Sequence, residues 1–538
     1  MPRFVLLVAL VCVFILNGPA SVSAQMSSCG PRIRKAWGML STTEKQTYLD
    51  AVSAAMANGN HALFLEVHGD TASGNEGHRT CGMIYWHRRF LLAYENMLRS
   101  IPGFECVTIP YWDYYTDYTK KLALQCTTFE SCSRILVEFG GGANSSGNWN
   151  TSTTNTFDGV TPLSGACVNG SQAAATQGLS TNFSLTNFCQ NSSTTACWGC
   201  IPRDNWAAKA FPSGFALTTL AKYISGSFGF AWFAQNIHYG VHNAIHNTAG
   251  STMATLFTAA DPIFYNHHSR LTLVLFWHCL RSSTIDLLHQ WWYDCQVQRP
   301  MTDTEKKTSN YAFQQCSLTP ADICPTSMSN ITQFWPNYTA NASGSVRIRA
   351  EDHPILGQFF SPLPTQYWQY VSGTDLGAYS YTYEKDSLLL AFSQANINIG
   401  CPLISKVRRL VDLSESFASG VMAQSSATTK SISLFKDLVS TSLSKIGILK
   451  PSLSQAEKQA EALDQMELMH CSWYEEIQGF IDDYSPYFRS NMRIPASAHT
   501  LCYNRMQQLR SGQKHIDVPE WHDIYEEHLY TGNGAVSI

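Results

Sequence analysis

Beyond its first residues the chain has no run long and apolar enough to cross a bilayer, and the stretch Leu271 to Trp277 amounts to one segment of a buried helix. It has no basic stripe either. Lysines and arginines are scattered and the formal net charge is only -4 over 538 residues, so the field that draws in nucleic acid is missing and nucleic acid is excluded as a partner. A second Cys-x-x-Cys is absent as well. Four thiolates at that spacing would hold zinc, whereas Cys197-x-x-Cys200 alone, in a chain that reads as exported, is a structural disulfide element.

Export is read from the N-terminus. Arg3, the apolar run Phe4 to Leu16 and the small residues Ala20 to Ala24 have the layout of a secretory signal, residues 1–24, cut after Ala24. Cys12 leaves with it, so 16 of the 17 cysteines remain, an even number suited to an oxidising route. N-x-S/T sequons at Asn144, Asn150, Asn169, Asn182, Asn191, Asn330, Asn337 and Asn341 agree with a secreted glycoprotein. The length fits one large domain, 25–400, and a smaller one, 401–538.

Periodicity makes the chain mainly α-helical. Residues 29 to 67 read as helix, with Ser41 and Glu44 as a capping box and Tyr48, Val52, Ala55 and Met56 at helical spacing. Gly69 to Gly77 reads as loop, which puts His78 in that loop and His87 at the start of a helix from Tyr85 to Leu98, ended by Pro102-Gly103. Residues 134–200, rich in Ser, Thr, Asn and Gly, read as a disulfide-pinned, glycosylated surface insertion. Helix resumes from Phe215 to His246, turns at Gly250, and starts again near Phe264, running to about Leu288. Residues 295–365 read as irregular, Tyr367 to Ala391 carries the best strand candidates, and 403–538 alternates amphipathic runs with Ser-rich links, a mainly helical unit. The expected architecture is an antiparallel helical bundle with long irregular loops, a few short strands and a small C-terminal helical domain.

Between 238 and 268 the chain concentrates His238, His242, His246, His267 and His268, and upstream it carries His68, His78 and His87. Imidazoles four apart lie one above another on a helix face and converge on one point. Adjacent residues point about 100 degrees apart, so only one of His267 and His268 is expected to reach the metal. Two sets of neutral imidazoles without a carboxylate suit copper better than magnesium or calcium. Protonation would cost such ligands the metal, so activity should fall in acid.

These segments resemble the tyrosinase, catechol oxidase and molluscan haemocyanin superfamily of type-3 copper proteins. The likeness rests on Gly77-His78-Arg79, Trp86 to Phe90, Glu95, Pro110-Tyr111-Trp112-Asp113, His242 to His246 and Asp261-Pro262 to His268. Arg32 to Trp37 and Leu376 to Tyr381 look like the two ends of the family's central domain. The resemblance implies a dicopper centre with His68, His78 and His87 on one copper and His242, His246 and His268 on the other. His238 remains a rival of His246, and His61 of His68. It further implies a polyphenol oxidase that uses dioxygen to turn o-diphenols into o-quinones, with Asn243 as a catalytic polar handle; the alternative is an oxygen carrier without turnover. Phe257, Phe264 and Tyr265 are candidates to line the pocket or simply to fill the core. Arg88, Arg89 and Glu95 read as intrachain anchors, and Asp261 as the cap of the His268 helix.

The departures also matter. Glu76 stands where many members have a thioether-forming cysteine, which leaves Cys81 to a disulfide, and Thr272 stands where an Asp is usual. No carboxylate occurs from Ala231 to Val241, Gln235 being the nearest polar substitute. In tyrosinases that carboxylate and the Asn hold a water that deprotonates a monophenol, so its absence argues for diphenol oxidation. The C-terminal domain is expected to cover the site in a latent precursor.

Overall fold

The computed structural model describes residues 29–78, 82–144, 149–152, 164–168, 178–180, 183, 188–189, 197–198, 201–225, 234–274, 302–308, 327, 329–336, 348–384 and 426–530. Among them the fold is mainly helical, with short strands and no closed sheet. The signal segment, Cys81, Cys200, Cys401, the sequons at 169, 182, 191, 337 and 341, and the helix beyond residue 274 lie outside the described residues. So do the side chains of Asn150 and Thr272, whereas Asn144 and Asn330 are exposed.

Helix α1, Thr42–Ala57, starts where expected: Ser41 and Glu44 form both halves of the capping box. It leads through Gly59 to α2, Asn60–Gly69, whose residues from His61 onward are all buried. Two expectations fail here. Residues 29–41 are not helix: Arg32–Arg34 forms a strand paired in parallel with Tyr381–Tyr383, so the two ends of the central domain meet. Nor is Gly69 to Gly77 a loop, because Thr71–His78 is helix α3 and His78 is its last residue. Asp70 accepts from the amides of Ala72 and Ser73, and Gly77 packs against Trp86, so a cap and tertiary packing override a glycine-rich composition.

Helix α4, Met83–Arg99, is buried along almost its whole length. Such a helix must anchor its polar residues internally. Arg88 donates to the carbonyls of Tyr370 and Val371, Arg89 pairs with Glu351 at 2.8 Å, and Glu95 binds Arg32 at 3.1 Å and Arg34 at 3.2 Å. The anchoring read from sequence is therefore present, and it ties the helix to both domain ends. Of the strand candidates in 367–391, Tyr381–Tyr383 is a strand, while Tyr367–Tyr370 and Gly377–Tyr379 are 3-10 turns.

Further along come α5, Tyr114–Leu122, and α6, Leu217–Ser225. A π-helical turn, Asn236–His242, then runs into α7, Asn243–Ala249. Gly250 reverses the chain at φ +65°, and a Cβ there would meet Asp204 at 2.4 Å, so the position requires glycine. Two 3-10 turns lead to α8, Ile263–Val274, whose start is capped by Asp261 through the Ile263 amide at 3.1 Å. Asp261 is itself held by Arg203 in a two-point pair at 2.7 and 2.8 Å.

The C-terminal region is helical, as expected: α9 Ser426–Leu449, α10 Gln455–Gln478, α11 Pro486–Met492, α12 Leu501–Arg510 and α13 Trp521–Tyr530. Cys471–Cys502 staples α10 to α12, and Cys29–Cys106 and Cys126–Cys132 tie the central region. These helices share one continuous core with the central ones, through Phe435, Leu438, Met466, Trp473 and Tyr474. Lys222 on α6 binds Asp464 at 2.9 Å and Glu467 at 2.6 Å, and Arg505 closes the same cluster. No helix among the described residues is long and apolar enough to cross a membrane.

Removing the carboxylate of Glu95 leaves Arg34 charged, buried and uncompensated. Glu95→Ala is expected to cost about 3–5 kcal/mol, the penalty for breaking a buried pair from one side, read as a lower denaturant midpoint in equilibrium unfolding.

Candidate metal centre

Three helices and one carbonyl-rich turn bring the first set of imidazoles together. His68 comes from the end of α2, His78 from the end of α3 and His87 from the first turns of α4. Their donor atoms lie within 4.8 Å of one another, and all three side chains are buried. Each Nδ1 faces a backbone carbonyl: Leu256 at 2.7 Å for His68, Gly74 at 2.8 Å for His78, and Met83 at 2.8 Å for His87. For His78 and His87 that carbonyl is the one four residues earlier. With Nδ1–H donated, each Nε2 keeps a bare lone pair. The Nε2 atoms of His68 and His87 stand 3.4 Å apart with no hydrogen between them, an arrangement that a cation resolves.

The second set is built by the π-turn, α7 and α8. His246 donates Nδ1–H to the Met253 carbonyl at 2.7 Å, and His242 donates to Asn243 Oδ1 at 2.8 Å. The Nε2 atoms of His242 and His246 are buried and unpaired. His267 joins this set: the donor atoms of His242, His246, His267 and His268 all lie within 4.8 Å of one another. Both adjacent histidines thus bring a donor atom to this cluster. His268 stacks on His87 with ring centroids 4.0 Å apart and 13° between planes, which places the two sets face to face.

The rivals separate on geometry. His61 has both nitrogens committed, to the Tyr94 hydroxyl at 2.8 Å and the Ala260 carbonyl at 2.9 Å. His238 is outside both sets, its ring 5.1 Å from His242 and 6.4 Å from His78, stacked on Tyr239. Phe264 stands between the sets, 4.7 Å from His68 and 4.3 Å from His268. Tyr265 belongs to the core, stacked on Tyr94 at 3.5 Å, and Phe257 packs on Gly69.

Two contributions escape the sequence pattern. Glu76 accepts from the Tyr367 hydroxyl at 2.5 Å and the Gln333 amide at 2.9 Å, tying the end of α3 to the chain beyond residue 329; burial pushes its carboxyl up to about 7. Tyr484, more than two hundred residues downstream, donates to the Tyr239 carbonyl and faces the Asn243 amide. Beside it, the Ser485 amide donates to Asn247 at 2.8 Å.

Burial holds the imidazoles neutral. It drives His246 and His238 down to about 3 and His68, His87, His242 and His268 well below the ordinary value, with neighbouring imidazoles adding to the effect. The donors gathered here are all nitrogen, with no carboxylate in either set among the described residues. The unpaired Nε2 atoms and this donor chemistry fit copper.

A helical scaffold that faces two buried polyimidazole sets toward each other defines a binuclear metalloprotein of the type-3 copper class. Residues 55–277 match the family described as the common central domain of tyrosinase. The chain is similar to the tyrosinase of Streptomyces glaucescens, 29% identical over 44% of this chain and 78% of that protein. It is equally similar to that of Streptomyces antibioticus, 29% identical over 44% and 79%. A tyrosinase-like protein phomQ1' of Diaporthe leptostromiformis is 23% identical over 52% and 71%. Residues 55–277 thus carry a central domain of the tyrosinase superfamily of type-3 copper proteins, with a function of the dicopper-oxidase type.

The depressed imidazoles carry a pH signature in the metal-free protein. Between the folded values near 3 and the unfolded value near 6.5 the unfolded chain binds more protons, so stability falls as pH falls through that window. Each such imidazole contributes up to about 1.4 kcal/mol per pH unit. Thermal melts of metal-free protein should drop from about pH 6.5 downward, before carboxylates titrate, and bound copper should blunt the drop.

Proposed function

We propose that this protein oxidises o-diphenols to o-quinones with dioxygen, His68, His78 and His87 holding one copper and His242, His246 and His268 the other. The observation that carries the reading is the face-to-face placement of the two sets, His268 lying flat on His87 at 4.0 Å. When bound, the copper pair supplies the redox chemistry, taking the two electrons that each catechol gives up and passing them to dioxygen.

The residues of this chain do the rest. The carbonyls of Leu256, Gly74, Met83 and Met253 fix which imidazole nitrogen carries the proton and keep each Nε2 aimed inward. Burial holds the ligands neutral, so at neutral pH no proton competes with the metal for their lone pairs. Phe264 fills the space between the sets and keeps water out. Asn243 orients His242 through Oδ1, and its buried amide is the polar group that would meet an aromatic alcohol.

Diphenol oxidation is favoured over phenol hydroxylation because a monophenol must first lose its proton. The stretch from Ala231 to Val241 holds no Asp or Glu to take it, and Gln235 is a poor base. Oxygen uptake tests this: catechol should be consumed at once and tyrosine left almost untouched. Rapid uptake with tyrosine would overturn the preference, and reversible oxygen binding with neither substrate turned over would make the protein a carrier.

We further infer that the enzyme is secreted and latent. Disulfides such as Cys29–Cys106 and Cys471–Cys502 support an oxidising compartment. Tyr484 on the Tyr239 carbonyl, beside Asn243, supports a C-terminal region that covers the entrance. Cleavage between residues 385 and 405, followed by separation of the C-terminal helices, should raise the rate of catechol oxidation. An unchanged rate after clean removal would reject latency.

A further inference from the structure

We propose that Glu76 and Tyr367 form a positioning tether for His78, one that fixes where the end of α3 delivers that ring to the first set; the proposal rests on the dicopper reading above. Glu76 departs from the family pattern, so its task is set by contacts of this chain.

His78 has the weakest support of its set. His87 stands inside the seventeen-residue α4, and His68 belongs to α2, whose residues from His61 onward are all buried. His78 instead ends the eight-residue α3, which carries glycine at 74 and 77. Two turns with two glycines do not hold together on their own. The ring and the carbonyl that fixes its tautomer, that of Gly74 at 2.8 Å, both belong to this short helix, so fraying at its end moves them together. Packing alone does not prevent that. A Cβ on Gly74 would meet the His68 carbonyl at 3.0 Å and one on Gly77 would meet Trp86 at 3.0 Å, which sets how close α3 lies, whereas directional hydrogen bonds set how it is turned.

Ser73 and Glu76, three residues apart and so on one face, supply those bonds. Ser73 Oγ accepts from the Trp335 amide at 2.7 Å, and Glu76 accepts from the Gln333 amide at 2.9 Å, so the 333–335 segment runs along α3. The Tyr367 hydroxyl closes on the same Glu76 oxygen at 2.5 Å. Both donors on Glu76 are braced on α4. The Gln333 carbonyl accepts from the Trp86 indole at 3.0 Å, and the buried Tyr367 ring meets Tyr85 edge-on, 6.3 Å between centroids, while its amide donates to the Asn330 carbonyl at 3.2 Å. Two residues before His78, the tether thus refers the end of α3 to the helix that carries His87, whose ring lies 5.0 Å from that of His78.

Tyr367→Phe removes the hydroxyl and keeps the ring. In copper-loaded full-length protein challenged with excess chelator, Tyr367→Phe and Glu76→Ala should each release one of the two ions roughly tenfold or more faster than wild type and leave the other unchanged. The double variant should be no faster than Glu76→Ala, since the hydroxyl then has nothing to hold. Glu76→Gln, which keeps an acceptor oxygen for both donors, should stay near wild type. Unchanged release in Tyr367→Phe, or both ions speeding together with a lower denaturant midpoint, would overturn the tether and leave the dicopper reading standing. Wild-type protein that takes up no copper would overturn both. Should Glu76→Ala fail to fold, Tyr367→Phe decides alone.

Discussion

Everything near the centre of this molecule follows from keeping imidazoles neutral, out of water and aimed at each other. A buried neutral histidine has one N–H to satisfy and one lone pair to spare. His78 and His87 satisfy the N–H on the carbonyl four residues back, and His68 and His246 on carbonyls of the turns at Leu256 and Met253. The lone pairs then have nowhere to go but inward, where Nε2 atoms of His242 and His246 remain unpaired and those of His68 and His87 approach to 3.4 Å. Such an array is costly without a cation. The surrounding helices must therefore be rigid enough to hold it.

Rigidity comes from charge pairs as much as from packing. Burial pushes the Glu95 carboxyl up, but Arg34 and Arg32 outweigh it and hold it below the ordinary range, so the pairing with α4 is a fixed joint. The same residues belong to the strand pairing that brings Arg32–Arg34 against Tyr381–Tyr383. On the second set, Arg203 and Asp261 join the start of α8 to the chain before α6. At the outer face, Lys222 and Arg505 share Asp464 and Glu467, and Tyr118 meets His470 at 2.7 Å, so the C-terminal helices are seated on α5 and α6 rather than tethered loosely.

Much of the centre was legible in the chain itself. The i, i+4 spacing of His242 and His246, the Asp261-Pro262 start and the Ser41–Glu44 cap each encode local geometry, and each is realised. The misreadings share one cause. Helical spacing extends the helix back to residue 29 and glycine content makes 69–77 a loop, yet partners far away decide both segments: Tyr381–Tyr383 for the strand, Trp86 and Leu256 for the packed glycines of α3. What Glu76 does in place of a cysteine is likewise a matter of distant partners, since its carboxylate accepts from Tyr367 and Gln333.

By itself the sequence determined the kinds of donor, their helical spacing and the helices that carry them, because those depend on contacts within a few residues. Only the tertiary structure decided that His61 is occupied by Tyr94 and Ala260, that His238 stands apart, that His267 comes to the second set, and that Tyr484 lies against the Tyr239 carbonyl. Those outcomes depend on the angle at which one helix meets another and on which carbonyl faces which ring. A periodic pattern names the face a side chain points from, and the neighbouring element determines what it points at.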